Sequence, residues 1–74
     1  MQAVVWSKDN CQYCVKAKTL LDLKGVQYEE RKIGAGWTKE QLLEAVPTAR
    51  TVPQIFLDGA YVGGFTELSN ILSK

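Results

Sequence analysis

The chain has 74 residues, of which 46% are hydrophobic and 23% charged, and its net charge is +1. That length suits one small domain spanning 1–74, near the lower limit for folding on a single apolar core. The composition points to a compact fold rather than disorder, and the near-neutral charge gives no basic field for nucleic acid or an anionic membrane. The apolar runs are far shorter than a membrane span. The start "MQAVVWSK" lacks a basic opening, an apolar core and a small-residue cleavage site, so it does not read as a signal peptide. A reducing, cytoplasmic setting is expected, where a cysteine pair more often serves catalysis or metal binding than structural bracing.

In chain order, "AVVW" (3–6) is a β-branched apolar run that reads as a buried strand. "SKDN" breaks it, and Asp9 or Asn10 is expected to cap a helix from about Cys11. In "CVKAKTLLDLKG" Cys14, Ala17 and Leu21 share one face, and Gly25 stands where a helix stops. "VQYEERKI" (26–33) reads as a second strand, and "GAG" as a loop. Thr38 and Gln41 form a capping box, with Trp37 and Leu42 as its hydrophobic staple, for a helix ending near Val46 or Pro47.

"VPQIFLDG" (52–59) is expected to be a strand with Pro53 at its start, and "DGA" a tight turn into "YVG" (61–63). Gly63 and Gly64 precede a short helix capped by Thr66, with Glu67 in its first turn. The order is β-α-β-α-β-β-α. An α/β fold is expected, with a four-stranded mixed sheet flanked by three helices on its two faces. Its first two strands should be parallel and its last two a hairpin.

The only cysteines are Cys11 and Cys14, spaced C-x-x-C. A disulfide closing so short a loop restrains the unfolded chain little. A zinc site needs about four ligands, and the chain has no His and no third Cys. Two inert, buried thiols remain open as a reading. A redox pair fits best, because C-x-x-C lies within a β-α-β pattern. Cys11, at the helix start, is the nucleophile: unpaired N–H groups and the helix dipole favour its thiolate, and Lys8 adds positive charge. Cys14, one turn deeper, is suited to resolving a mixed disulfide.

The chain resembles the dithiol glutaredoxins, a branch of the thioredoxin superfamily. The resemblance rests on "CQYC" after the first strand, "TVPQIF" at 51–56 and "GGFTEL" at 63–68, and it covers nearly the whole chain. It implies a thioredoxin-like fold, a cis Val52–Pro53 bond and glutathione as reductant. It also implies a glutathione site. The backbone of Val52, between Thr51 and Pro53, would pair with the cysteinyl part. Gly64, Thr66 and Glu67 would meet the glutamyl end at the last helix, Lys8 the glycyl carboxylate, and Tyr13 would line the groove.

Two positions depart from the family pattern. Gln12 stands where proline is commonest, which loosens the turn and leaves the reduction potential open. Glu40 occupies the second-helix position that in the family usually holds the glycyl carboxylate, which it would repel; Gln41, with a slightly rotated helix, would substitute, and Arg50 would add charge. Taken singly, Lys8 fits an ordinary solvated lysine, Tyr13 a half-buried packing residue, and Thr66 a simple helix cap. The implied activity is reduction of protein disulfides and glutathionylated thiols, by a monomer that requires no metal. Ribonucleotide reductase is one candidate partner. Reduction by thioredoxin reductase, or carriage of a glutathione-bridged iron–sulfur cluster, are the rival readings.

Overall fold

The computed structural model describes residues 1–73. Its elements are β1 (Gln2–Ser7), α1 (Gln12–Leu23), β2 (Gln27–Lys32), α2 (Lys39–Ala45), β3 (Gln54–Leu57), β4 (Ala60–Gly63) and α3 (Phe65–Leu72). The sheet order is β2-β1-β3-β4. β1 pairs in parallel with β2 and antiparallel with β3, and β3 pairs antiparallel with β4. This is the four-stranded mixed sheet with three helices that the sequence predicts.

β1 is central and covered on both faces, which explains its unbroken apolar run. Ala3 and Val5 turn to one face, where they pack with Ala17 and Leu21 of α1, Ile55 of β3 and Leu68 of α3. Trp6 turns to the other, against Leu42 and Val46 of the α2 region, with Val52 and Phe56 at the edge. The two faces therefore hold two cores, and the loops at the C-terminal end of β1 sit between them.

Several boundaries follow from local chemistry. α1 ends in a Schellman motif: the N–H of Val26 donates to Leu21 O (2.9 Å) and that of Gly25 to Asp22 O (3.1 Å), with Gly25 at φ 69°. Val26 is thereby spent on the helix end, and β2 begins one residue later than expected. Ile33 makes only an isolated bridge to Trp37, so β2 also stops one residue early. β3 is shorter than the predicted 52–59, because Pro53 has no N–H for the ladder and Asp58 and Gly59 form the turn. α2 carries the full capping box: Gln41 N donates to Thr38 Oγ1 (3.2 Å) and Thr38 N to Gln41 Oε1 (2.8 Å). Trp37 and Leu42 share one cluster, as a hydrophobic staple requires.

Two predicted caps are corrected. Neither Asp9 nor Asn10 caps α1; Cys11 is itself the N-cap, with helical geometry beginning at Gln12. The Asp9 carboxylate instead pairs with Lys32 Nζ at 2.6 Å. Thr66 does not cap α3. Gly64 holds the N-cap position, and Glu67 Oε1 accepts the Gly64 N–H at 2.7 Å, so the reach-back carboxylate closes the helix start instead of a hydroxyl.

Candidate active site

Cys11 sits at the junction of β1 and α1, half-buried, while Cys14 is one turn into α1 and 1% exposed. Their sulfurs are joined as a disulfide, with Cα atoms 5.3 Å apart. The Cys14 N–H points at Cys11 Sγ at 3.2 Å. The sulfur thus occupies the place a serine or aspartate oxygen takes at an ordinary helix start. When the pair is reduced, the donors that satisfy a cap are aimed at the thiolate.

The loop before β3 supplies the other wall. The Val52–Pro53 peptide bond is cis, and the carbonyl oxygen of Val52 lies 3.6 Å from Cys11 Sγ. From there a groove of about 300 Å³ runs toward α3. Thr51, Val52 and Pro53 form one side; Tyr13, Phe65, Thr66 and Glu67 form the rest. Tyr13 leans on Phe65 with ring centroids 6.1 Å apart, and Lys16 Nζ stands 4.9 Å from the Tyr13 ring. Gly64 lies under the groove end, where an added Cβ would come within 3.5 Å of the Pro53 carbonyl oxygen.

On the opposite side of Val52 is a second hollow of about 230 Å³, toward α2. Lys8 and Arg50 border it, and so does Lys39 of α2. Lys8 also borders a third depression with Cys11, Cys14 and Lys18. Val52, whose carbonyl oxygen lies 3.6 Å from Cys11 Sγ, borders both the groove, with Tyr13, Thr51, Pro53, Thr66 and Glu67, and the hollow, with Lys8, and Lys8 in turn shares the third depression with Cys11 and Cys14. Gln41 stands apart: its side-chain oxygen is committed to Thr38, and it borders neither the groove nor the hollow. The α2 cation facing the hollow is Lys39, which the sequence reading passed over, as it did Phe65.

A partly exposed polar network ties β1, α1 and β2 together beside the site. Ser7, fully buried at the end of β1, donates to Glu30 Oε2 at 2.6 Å, and Lys18 Nζ donates to the same oxygen at 2.9 Å. The Lys18 hydrogen bond, and then that from Ser7, holds the Glu30 carboxyl below its ordinary range.

A dithiol at a helix start, faced by the backbone before a cis proline, is the arrangement of a thiol–disulfide exchanger. The glutaredoxin family profile matches residues 3–62. The chain belongs to the glutaredoxin family. It is 40% identical over 70 residues to Glutaredoxin 1 of Rickettsia prowazekii, an overlap of 92% of this chain and 74% of that protein. Reduced Escherichia coli glutaredoxin superposes with a TM-score of 0.80 at 39% identity, over 99% of this chain and 94% of that one. Buckwheat glutaredoxin, solved as a complex with glutathione, gives 0.78 at 30% identity, over 92% of this chain and 64% of that one. As a glutaredoxin, the chain is a thiol–disulfide oxidoreductase, and Cys11 and Cys14 are its redox-active, disulfide-forming pair. No helix among the described residues is long and apolar enough to cross a membrane.

Proposed function

We propose that this glutaredoxin uses glutathione as its reductant and acts on protein disulfides and glutathionylated thiols. The observation that carries the reading is the groove that runs from Val52, whose carbonyl oxygen lies 3.6 Å from Cys11 Sγ, to the first turn of α3. Its dimensions and chemistry suit a short tripeptide. The Val52 backbone, beside Cys11, pairs with the cysteinyl unit. Thr66 and the free N–H groups at the start of α3 receive the glutamyl carboxylate, and Glu67 receives the glutamyl ammonium. Lys8 faces the glycyl carboxylate. Likeness to the buckwheat complex supports the same placement.

In the monothiol route the Cys11 thiolate attacks the glutathione sulfur of a glutathionylated protein. The protein leaves as a thiolate, and Cys11 keeps the glutathione. A second glutathione thiolate attacks that sulfur, freeing Cys11 and producing glutathione disulfide. In the dithiol route Cys11 attacks a protein disulfide, and one half leaves as a thiolate. Cys14 then attacks Cys11 Sγ, expels the second half and closes the Cys11–Cys14 disulfide, which two glutathiones reopen. The dithiol cycle moves two electrons from two glutathiones to one protein disulfide, while the monothiol cycle consumes one glutathione, which leaves as glutathione disulfide joined to the one taken from the substrate.

Ribonucleotide reductase is a candidate protein substrate, the chain works as a monomer, and a reducing cytoplasm suits the chemistry. The test is reduction of the oxidised protein by glutathione, glutathione reductase and NADPH, in parallel with thioredoxin reductase and NADPH. Rapid turnover with the first mixture and little with the second is expected. The opposite pattern would replace glutathione with thioredoxin reductase as the electron source.

A further inference from the structure

We propose that the hollow between Cys11 and α2 selects protein substrates by the residues that follow the target cysteine, favouring a large apolar residue and then acidic ones. The floor of this hollow is apolar, built by Ile33, Leu42, Leu43 and Val52. Its rim carries Lys8, Lys39 and Arg50, and no carboxylate borders it. Among the described residues, none of these three cations is in an ion pair. A peptide with one apolar side chain and trailing negative charge complements both parts.

The direction of the peptide rests on the glutathione reading above. There the glycyl arm runs from Val52 toward Lys8. A protein segment that pairs with Val52 in the same direction continues past its cysteine toward α2. Val52 borders both the groove and the hollow, so the path is continuous. Glycine has no side chain and glutathione ends there, so glutathione does not fill the apolar floor and offers the cationic rim only its one terminal carboxylate. A longer chain fills the floor and offers the rim several. An extended peptide advances about 3.3 Å per residue, so two or three residues cross a hollow of this size. Burial of the apolar side chain gives the floor its preference, and screened charge pairing gives the rim its own.

The step that reads this preference is the first attack of the dithiol route. The Cys11 thiolate bonds to one peptide sulfur, the other half leaves as a thiolate, and Cys14 then displaces the bound half. The reduced protein supplies both electrons, and its two thiol protons end on the two released peptide thiols.

The experiment is a single-turnover reaction of reduced protein with symmetric peptide disulfides. Each half reads Ala-Cys-Leu-Glu-Glu, Ala-Cys-Leu-Lys-Lys or Ala-Cys-Ser-Glu-Glu, blocked at both ends. Rates are divided by those of 2-mercaptoethanol with the same peptides, which removes differences in intrinsic disulfide reactivity. No glutathione is present, so the result is separable from any failure of glutathione as reductant. At low ionic strength the Leu-Glu-Glu peptide should react about tenfold faster than the Leu-Lys-Lys peptide, as two or three exposed charge pairs allow. It should also outpace the Ser-Glu-Glu peptide severalfold. The Lys39→Glu/Arg50→Glu double variant, changed at two exposed positions, should reverse the charge preference. Equal normalised rates for the three peptides, or a preference that the double variant leaves intact, would overturn the proposal.

Discussion

The sulfur of Cys11 lies 3.2 Å from the backbone nitrogen of Cys14, in the position of a helix-capping oxygen. A cap normally satisfies a donor that would otherwise be orphaned. Here the capping atom is also the reactive one. Protonating it weakens the cap and ionising it strengthens the cap, so the fold favours the thiolate. The sulfur of Cys14 has no such position and is buried.

The first prediction follows directly. Brief iodoacetamide treatment of the reduced protein at about pH 6.5 should label Cys11 well before Cys14, since thiols at helix N-termini ionise more readily than free cysteine. Mass spectrometry of the digested protein reads the ratio. Equal labelling of the two cysteines, or preference for Cys14, would show that the cap does not activate Cys11.

A second prediction concerns the network behind the site. Glu30 accepts from buried Ser7 and from Lys18. Its carboxyl titrates below its usual value of 4.5, chiefly through the Lys18 hydrogen bond and next through that of Ser7. A carboxyl depressed in the folded state adds stability that is complete above its unfolded value and drains away as pH falls through the folded one. Glu30→Ala should cost about 1–3 kcal/mol at pH 7, because it strands the Ser7 hydroxyl without an acceptor. Urea unfolding checks this. The gap between the parent and Glu30→Ala should narrow when the measurement is repeated well below 4.5, the carboxyl's usual value. A gap that widens in acid would contradict the assigned sign.

Gly63 supports a third. Its φ is 122°, and a Cβ there would stand 2.9 Å from Glu67 Oε1, the atom that accepts the Gly64 N–H. Gly63→Ala meets both a backbone penalty and a clash with the carboxylate that closes α3. A loss of more than about 1 kcal/mol is expected in thermal or urea unfolding. Glutathione should also bind the variant more weakly, because displaced Glu67 no longer shapes the glutamyl end. A variant with parent-like stability would mean that the turn relaxes freely.

The order of elements and the site's three blocks were legible in the sequence because they rest on local signals: an apolar run, a Thr38–Gln41 capping box, a C-x-x-C before a helix. What escaped depends on the assembled fold. The capping rules rank oxygen side chains, so Asp9, Asn10 and Thr66 drew attention while a sulfur and a backbone glycine took the positions. Lys39 was missed because the choice of which α2 side chain faces Lys8 depends on helix rotation. One residue changes that direction by about 100°. Thr38 fixes the helix start and commits Gln41 to the cap, which leaves Lys39 at the hollow. The Ser7–Glu30–Lys18 network joins three elements through the parallel register of β1 and β2, which pairs Val5 with Glu30. No local pattern announces it.

The final prediction divides the work between the two thiols. Cys11 is half-buried, at the groove, and aligned with helix donors; Cys14 is 1% exposed and within bonding reach of Cys11 alone. Attack on an outside disulfide requires access as well as a thiolate, so Cys14 cannot start a reaction. Cys11→Ser should therefore lose both removal of glutathione from a glutathionylated peptide and reduction of a protein disulfide. Cys14→Ser should keep the first, because that route needs one protein thiol and a second glutathione. It should lose most of the second, because a substrate joined to Cys11 can no longer be expelled from within. Paired assays with glutathione, glutathione reductase and NADPH measure both activities for both variants. In the Cys14→Ser protein, mass spectrometry should find the substrate still attached to Cys11. Deglutathionylation that survived in Cys11→Ser and vanished in Cys14→Ser would reverse the two roles.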